Sequence, residues 1–450
     1  MLEEKINSIE GTWNGKLNVA GTQIPITFVI KRNPKERLTV SLISQGKEIK
    51  TEIISNENQE LTIKFSTING IFQGKVNYNT SIIIGTWTQG SQDFKLELQK
   101  GELPLKPSRP QEPKKPYPYL EKEVKYKNLE ANVVLGGTLT YPKNEPPYPA
   151  VILITGSGAE DRDETVFGHK PFLVLADYLT KRGFAVLRID DRGVGVSTGV
   201  YIEAKNADFV SDVKAGINFL KKQEEINPKK IGLIGHSEGG VIAPIVVSEN
   251  SDIAFIVLMA GPGIPLEKIL YLQGELIARA NNVSEAIIAK QKRIQEIMFS
   301  IIKEEKNLEN AEHKMRVAIL NELKDIKETD LPSFSPNSID AQIKMVLSPW
   351  FRDFLTYDPK TALTKVKCPV LVMNGEKDLQ VPPKENLAAI EQALIEGGNK
   401  DYKIIELPSL NHLFQTAKTG SITEYAQIEE TISPKALEVI GDWLVEQIQK

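Results

Sequence analysis

Five residues, Gly235-His236-Ser237-Glu238-Gly239, lie between the apolar run Ile231 to Ile234 and a stretch beginning Gly240-Val241-Ile242-Ala243. A strand-like run, a tight turn and a helix-compatible run, in that order, constrain this chain more than any other feature. At so sharp a strand-to-helix bend a serine is left exposed for attack, and glycines two places to either side remove the Cβ atoms that would block the bend. The spacing alone would match by chance at about 3 in 10,000 sites, so the flanking runs carry the reading. An ordinary serine in a surface turn is the alternative.

From about residue 120 the same texture repeats: Ala150 to Ile154 then Phe172 to Lys181, Phe184 to Ile189 then Ala207 to Leu220, and Ile231 to Ile234 then Gly240 to Ser248. Unalternating apolar strands suit a mostly parallel, doubly wound sheet buried on both faces. Further strands are predicted at Ile253 to Met259, Val370 to Asn374 and Tyr402 to Leu407, with a closing helix over Pro434 to Gln449 and Ser433 as its N-cap. The alternation stops between Gly263 and Pro349. There Ile287, Ile294, Ile297, Ile301 and Ile302 recur at helical intervals, which predicts a helical cap insertion of about 263–349 that forms a substrate lid or merely lengthens the core.

Residues 1–100 read differently. Thr, Val, Ile and Phe alternate with polar residues in Ile24 to Ile30, Leu38 to Ile43, Leu61 to Phe65 and Ser81 to Trp87, a small all-β barrel or sandwich. Gly11-Thr12-Trp13 is echoed by Gly85-Thr86-Trp87, as if first and last strands met, and the outline resembles lipocalin-like barrels. Such a domain either binds an apolar ligand or serves packing or dimerisation. Pro104, Pro107, Pro110, Pro113, Pro116 and Pro118 mark residues 101–119 as a stiff proline-rich linker, leaving 120–450 as the larger domain.

With 450 residues, 41% hydrophobic and 25% charged, the chain can bury two or three full cores. Its 55 basic and 59 acidic residues give a net charge of -4, which argues against a nucleic-acid surface and for a small or neutral substrate. The single cysteine, Cys368, excludes an intramolecular disulfide and reads as a buried structural thiol. No apolar run is long enough for a membrane span, and the start Met1-Leu2-Glu3-Glu4-Lys5 is unlike a signal peptide. The sequence as written therefore reads as cytoplasmic, while a trimmed mature form would instead be exported, periplasmic or secreted. A monomer and a homo-oligomer are equally compatible with it.

A serine hydroxyl attacks only with a base in reach and a carboxylate to orient that base. Of the four histidines, His412 follows the predicted strand Tyr402 to Leu407, and such strand ends carry the site of a doubly wound sheet. His236 lies inside the turn itself, His169 follows an earlier strand, and His313 lies in the insertion. Asp378 in Gly375-Glu376-Lys377-Asp378 is the expected acid, with Glu376 its rival. The chain order Ser237, Asp378, His412 agrees with the order of the nucleophile-elbow fold.

With these residues in hand, 120–450 resembles the α/β-hydrolase superfamily. Gly156-Ser157-Gly158 followed by Asp161-Arg162-Asp163, then Asp191-Arg192-Gly193-Val194-Gly195-Val196-Ser197, then the Gly-His-Ser-Glu-Gly elbow, is similar to bacterial carboxylesterases related to prolyl-oligopeptidase-like (dienelactone hydrolase-like) enzymes. The resemblance implies hydrolysis of small acyl esters with no cofactor and no metal. An oxyanion needs preorganised N–H donors. Glu238, the residue after the nucleophile, should give one, and the family's oxyanion loop falls on Ser157, with Gly158 close behind. Asp161, Arg162, Asp191 and Arg192 are expected to form supporting ion pairs, and Trp350, Phe351 and Phe354 either line an acyl pocket or belong to the core. The same triad would serve a serine peptidase, an acyl transferase or a thioesterase. A ligand-binding protein acting through its β domain is the non-enzymatic reading.

Overall fold

A computed structural model describes residues 9–19, 22–44, 47–57, 59–89, 92–102, 108–324 and 336–450. The chain divides into two compact units, one of residues 1–107, 281–290 and 312–344, the other of 108–280, 291–311 and 345–450.

In the first unit, eight strands close a barrel: β1 (Gly11–Val19), β2 (Thr22–Arg32), β3 (Leu38–Ser44), β4 (Lys47–Glu57), β5 (Glu60–Phe65), β6 (Gly70–Asn77), β7 (Ile82–Gln89) and β8 (Gln92–Gly101). Each pairs antiparallel with the next, and β1 meets β8 through Thr12 to Gly15. The echoed tryptophans thus lie on β1 and β7, and closure falls one strand later than the echo suggested. Inward-facing side chains fill the interior: Trp13, Phe28, Phe65, Phe72 and Trp87 are each 2% exposed or less, with Phe28 edge-on to Phe72 at 5.2 Å. Large aromatic rings supply the area a small barrel needs for its core. They occupy the space an internal ligand would take.

The second unit is built on one sheet of β9 (Leu120–Asn128), β10 (Val133–Tyr141), β11 (Tyr148–Ile154), β12 (Ala185–Ile189), β13 (Ile226–His236), β14 (Ile256–Met259), β15 (Val370–Gly375) and β16 (Tyr402–Leu407). Its spatial order is β9-β10-β12-β11-β13-β14-β15-β16. β10 runs antiparallel to β9 and β12, while β12, β11, β13, β14, β15 and β16 are parallel neighbours. The central strands are buried throughout, which explains their unbroken apolar runs.

Helices α1 (Pro171–Lys181), α2 (Asn206–Leu220) and α3 (Gly239–Glu249) follow β11, β12 and β13. The expected insertion then supplies α4 (Leu266–Ala280), α5 (Glu285–Glu304), α6 (Leu308–Leu323), α7 (Pro336–Val346) and α8 (Pro349–Thr356). After it come the short α9 (Lys360–Leu363), α10 (Pro383–Glu396), the short α11 (Ile422–Tyr425) and α12 (Pro434–Gln449). Ser433 holds the N-cap position of α12, but its hydroxyl makes no capping bond. One core packs α2, α3 and α10 on one face of the sheet, and another packs α1 and α12 on the opposite face. This is the α/β-hydrolase fold. Its chain leaves β11 toward β12 and returns past it to β13, so the order reverses between β11 and β13 and opens a crevice at their C-terminal ends.

Of the proline-rich stretch, residues 103–107, with Pro104 and Pro107, lie outside the described residues. From Ser108 on it is held by its own unit: the Arg109 guanidinium donates to the carbonyls of Ala426 and Ile428 at 2.9 and 2.7 Å, and Gln111 bonds both Thr431 and Ile432. Among the described residues, no helix is long and apolar enough to cross a membrane.

Candidate active site

Ser237 sits where β13 turns into α3, with φ +52°. That left-handed conformation is costly for a residue with a Cβ and is held by its surroundings. A Cβ on Gly235 would overlap the Gly239 carbonyl, and one on Gly239 would overlap the Ile154 carbonyl of β11, so neither flanking position admits a side chain. From Ile231 to Pro244 every residue except Ser237 is buried. The bend thus exposes the one hydroxyl the sequence singled out.

Asp378 and His412 arrive from the loops after β15 and β16. The Asp378 carboxylate is 2% exposed; Oδ1 accepts the N–H groups of Gln380 and Val381 at 2.8 and 2.9 Å, and Oδ2 meets His412 Nδ1 at 2.7 Å. With Nδ1 engaged, Nε2 is the ring atom left for exchange with a hydroxyl. Glu376 is exposed and accepts from Ser409 N, well placed to brace a loop but not this ring. His169 is buried between Thr431, Gln415 and the Tyr425 carbonyl, and burial pushes its imidazole down to about 4. His313 is exposed on α6.

The three expected oxyanion donors separate. The N–H of Gly158 donates to the Tyr201 hydroxyl at 2.8 Å and is committed there. The N–H groups of Ser157 and Glu238 have no partner among the described residues. Behind them, the Glu238 carboxyl accepts from Tyr201 Oη at 2.9 Å and Trp350 Nε1 at 3.0 Å. Burial pushes it up to about 7, against hydrogen bonds from Trp350, Tyr201 and Ser157.

The expected ion pairs form around the two arginines only. Arg162 pairs with Asp190 and Glu123, and Arg192 with Asp208 and Asp212. Asp161 instead folds its own loop, accepting from Asp163 N and Thr165 N, and Asp191 ties its loop to the one after β11, accepting from Thr155 Oγ1 and Glu160 N. Burial raises Asp191 to about 8. It raises Glu160 to about 10, helped by the charges of Glu164, Asp191, Asp161 and Glu238. Cys368 is partly buried and free, its thiol pushed up to about 12 by burial.

Sequence reasoning missed Glu164, Tyr201 and the use made of His236. Glu164 Oε1 accepts Gly156 N at 3.0 Å and meets His236 Nδ1 at 2.8 Å, and His236 Nε2 meets the His412 carbonyl at 3.0 Å. These partners are 72 and 176 residues apart, so no local spacing announces them.

A cavity of about 350 Å³ joins these parts. Ser237, His412, Glu238 and Ser157 lie on its wall, with Ile269, Leu270 and Gln273 of α4 and Trp350, Phe351 and Phe354 of α8. Both ends of the insertion therefore line the site, and the three aromatic residues serve cavity and packing at once, Trp350 lying 5.7 Å from Phe354 ring to ring. Among the described residues no three His, Cys, Asp or Glu side chains are grouped to hold a metal ion. An exposed hydroxyl, a carboxylate-oriented imidazole and free N–H groups on one apolar cavity can carry out acyl transfer.

Residues 170–315 match a hydrolase family model described as serine aminopeptidase, S33. Esterase EstD of Thermotoga maritima is 24% identical over 316 residues, 69% of this chain; the match spans 65% of that protein's own length. An uncharacterised 31.7 kDa protein of Escherichia coli is 25% identical over 235 residues, covering 51% of this chain and 74% of its own. Among solved structures, the Pyrococcus furiosus esterase Pf2001 aligns over 73% of this chain and 91% of its own with a TM-score of 0.45 and 18% identity. Est1E of Butyrivibrio proteoclasticus, bound to ferulic acid, aligns over 73% and 100% with a TM-score of 0.42 and 17% identity. The chain has the fold of the α/β hydrolases and is similar in sequence to members that include an esterase.

Proposed function

We propose that this protein is a serine hydrolase of carboxylic esters, acting through an acyl-enzyme on Ser237. His412 Nε2 takes the Ser237 proton as Oγ bonds the carbonyl carbon, and Asp378 orients the ring and stabilises the imidazolium. The N–H groups of Glu238 and Ser157 receive the oxyanion. As the tetrahedral adduct collapses, the ester C–O bond breaks and the alcohol leaves with the proton from His412. Water then adds to the acyl-enzyme, gives its proton to His412, and the acid departs as Ser237 regains its hydrogen.

The observation that carries this reading is the 2.7 Å contact of buried Asp378 with His412 on the cavity that also holds the strained, partly exposed Ser237. A largely apolar cavity of about 350 Å³ suits short acyl chains. Ser237→Ala should abolish turnover of p-nitrophenyl butyrate with the melting temperature unchanged, and appreciable residual turnover would refute the assignment.

A peptidase reading has one specific support, the match to a family model described as serine aminopeptidase. Parallel rates on the butyrate ester and on an aminoacyl or dipeptidyl p-nitroanilide separate the two: a preference for the amide would overturn the ester assignment. The domain boundaries belong to the same proposal, with the barrel appended to a catalytic domain whose sheet begins near residue 120 and onto which the proline-rich stretch from Ser108 is bound. The barrel, with its interior filled by its own rings, is assigned packing rather than ligand binding.

A further inference from the structure

The triad accounts for Ser237, Asp378 and His412 and leaves a second buried carboxylate and imidazole beside them without a task. Glu164 is 2% exposed and His236 5% exposed. Glu164 lies in the loop after β11 with φ +53°, a backbone shape costly for a glutamate and sustained here by what its side chain holds. A single oxygen, Oε1, accepts from the N–H of Gly156 and meets His236 Nδ1. The other ring nitrogen of His236 reaches the main-chain carbonyl of His412 at 3.0 Å. Three pieces of the site, the Ser157 loop, the elbow and the loop of the base, are thereby tied through one pair of side chains.

We propose that Glu164 and His236 are positioning residues: an imidazolium–carboxylate pair that fixes the main chain of His412 and the Gly156-Ser157 loop relative to Ser237. The inference rests on the ester-hydrolase reading above. A carbonyl oxygen can only accept, so Nε2 of His236 carries a proton. Nδ1 faces a carboxylate oxygen that already takes one N–H, so a second ring proton makes both ring contacts hydrogen bonds at once. Asp378, held against His412 in the loops after β15 and β16, faces His236 and favours that extra charge, while Glu160 beside Glu164 and Asp191 in the loop after β12, raised to about 10 and 8, are largely neutral near pH 7 and do not oppose it. No Lys or Arg lies among the residues lining the cavity. In agreement, the His236 imidazole is raised above its ordinary value, the attraction and hydrogen bond of Glu164 outweighing the larger opposing effect of burial.

Glu164→Gln is the informative change because it keeps shape and acceptor while removing the charge. With the amide oxygen still held by the N–H of Gly156 and facing Nδ1, a neutral His236 with its one ring proton keeps either the contact to that oxygen or the bond to the His412 carbonyl, not both. Losing the bond to the His412 carbonyl frees the base loop, and a displacement of the order of 1 Å costs about 100-fold in rate. In full-length protein assayed with p-nitrophenyl butyrate, Glu164→Gln should lower kcat about 100-fold with KM changed less than about twofold. It should also move the alkaline limb of the kcat profile to lower pH, and Glu164→Asp should restore part of the loss. Wild-type kcat and an unchanged pH profile in Glu164→Gln would overturn the proposal.

Should that variant fail to fold, the unaltered chain decides. The sequence has four histidines. With 15N-labelled histidine, one ring should keep both nitrogens protonated to a higher pH than an ordinary imidazole, whose value lies at about 6.5, and four rings that are all neutral just above that value would refute the pair. Failure of the ester reading looks different: the unaltered chain would then neither hydrolyse the ester nor take up a fluorophosphonate at Ser237, whatever the ring spectra show.

Discussion

At the scale of single residues the site depends on which of two similar groups is buried. Asp378 and Glu376 are two positions apart, yet only Asp378 lies inside, holding two N–H groups and the ring of His412. Asp378→Asn keeps the size and removes the charge, so the ring loses both its tautomer and its counter-ion, and kcat should fall by about 10⁴. Glu376→Gln, changed at an exposed loop brace, should leave kcat within about twofold; steady-state kinetics of both variants would reverse the assignment if the effects were exchanged. Ser237, Asp378 and His412 could be proposed from the sequence because each stands at the end of a predicted strand or in the short loop after it, where a parallel sheet puts its working loops. Glu164 and Tyr201 could not. Each acts through a partner in another loop, and a glutamate in Asp163-Glu164-Thr165 looks like any surface turn until the fold buries it.

At the scale of elements, the buried parallel strands could be read because burial on both faces removes polar residues from them. β9 was missed for the opposite reason, since it alternates, with Glu121, Lys122, Glu123, Lys125 and Lys127 supplying charges on an edge strand, while β10 is buried but has its apolar run broken by Gly136-Gly137 and two threonines. β6 and β8 of the barrel were passed over similarly, their exposed positions holding Gln73, Lys75 and Asn77 in the one and Asp93, Lys95, Glu97 and Gln99 in the other. The insertion was recognisable by its helical period, but its role depended on where its ends land. Since α4 and α8 both line the cavity, acyl preference should be adjustable from α8 without touching a strand end. Phe354→Ala enlarges the wall, and the ratio of kcat/KM for p-nitrophenyl octanoate over acetate should rise about tenfold. An unchanged ratio would place the acyl chain elsewhere.

At the scale of the whole molecule, the buried acids set how stability follows pH. Glu238, Asp191 and Glu160 are raised to about 7, 8 and 10. A carboxyl whose folded value lies above its unfolded one favours the fold while it is protonated, and that contribution is lost as pH rises through the folded value. His169, lowered to about 4, works in the other direction, adding stability as pH rises from there to its ordinary 6.5. Above 6.5 the acids and the raised His236 act in the same direction, so the melting temperature should fall as pH rises from there to 8, and Glu238→Gln should flatten the slope. Calorimetry at several pH values would show it, and a rising curve would contradict it. The barrel has a different bearing on experiment. Because Trp13, Trp87 and their neighbours supply its filling, the outward positions carry little of its folding energy, and Ile84, 61% exposed, is one of them. Its outer face can be rewritten position by position, and any change in behaviour that follows can be assigned to the surface itself and not to a weakened scaffold.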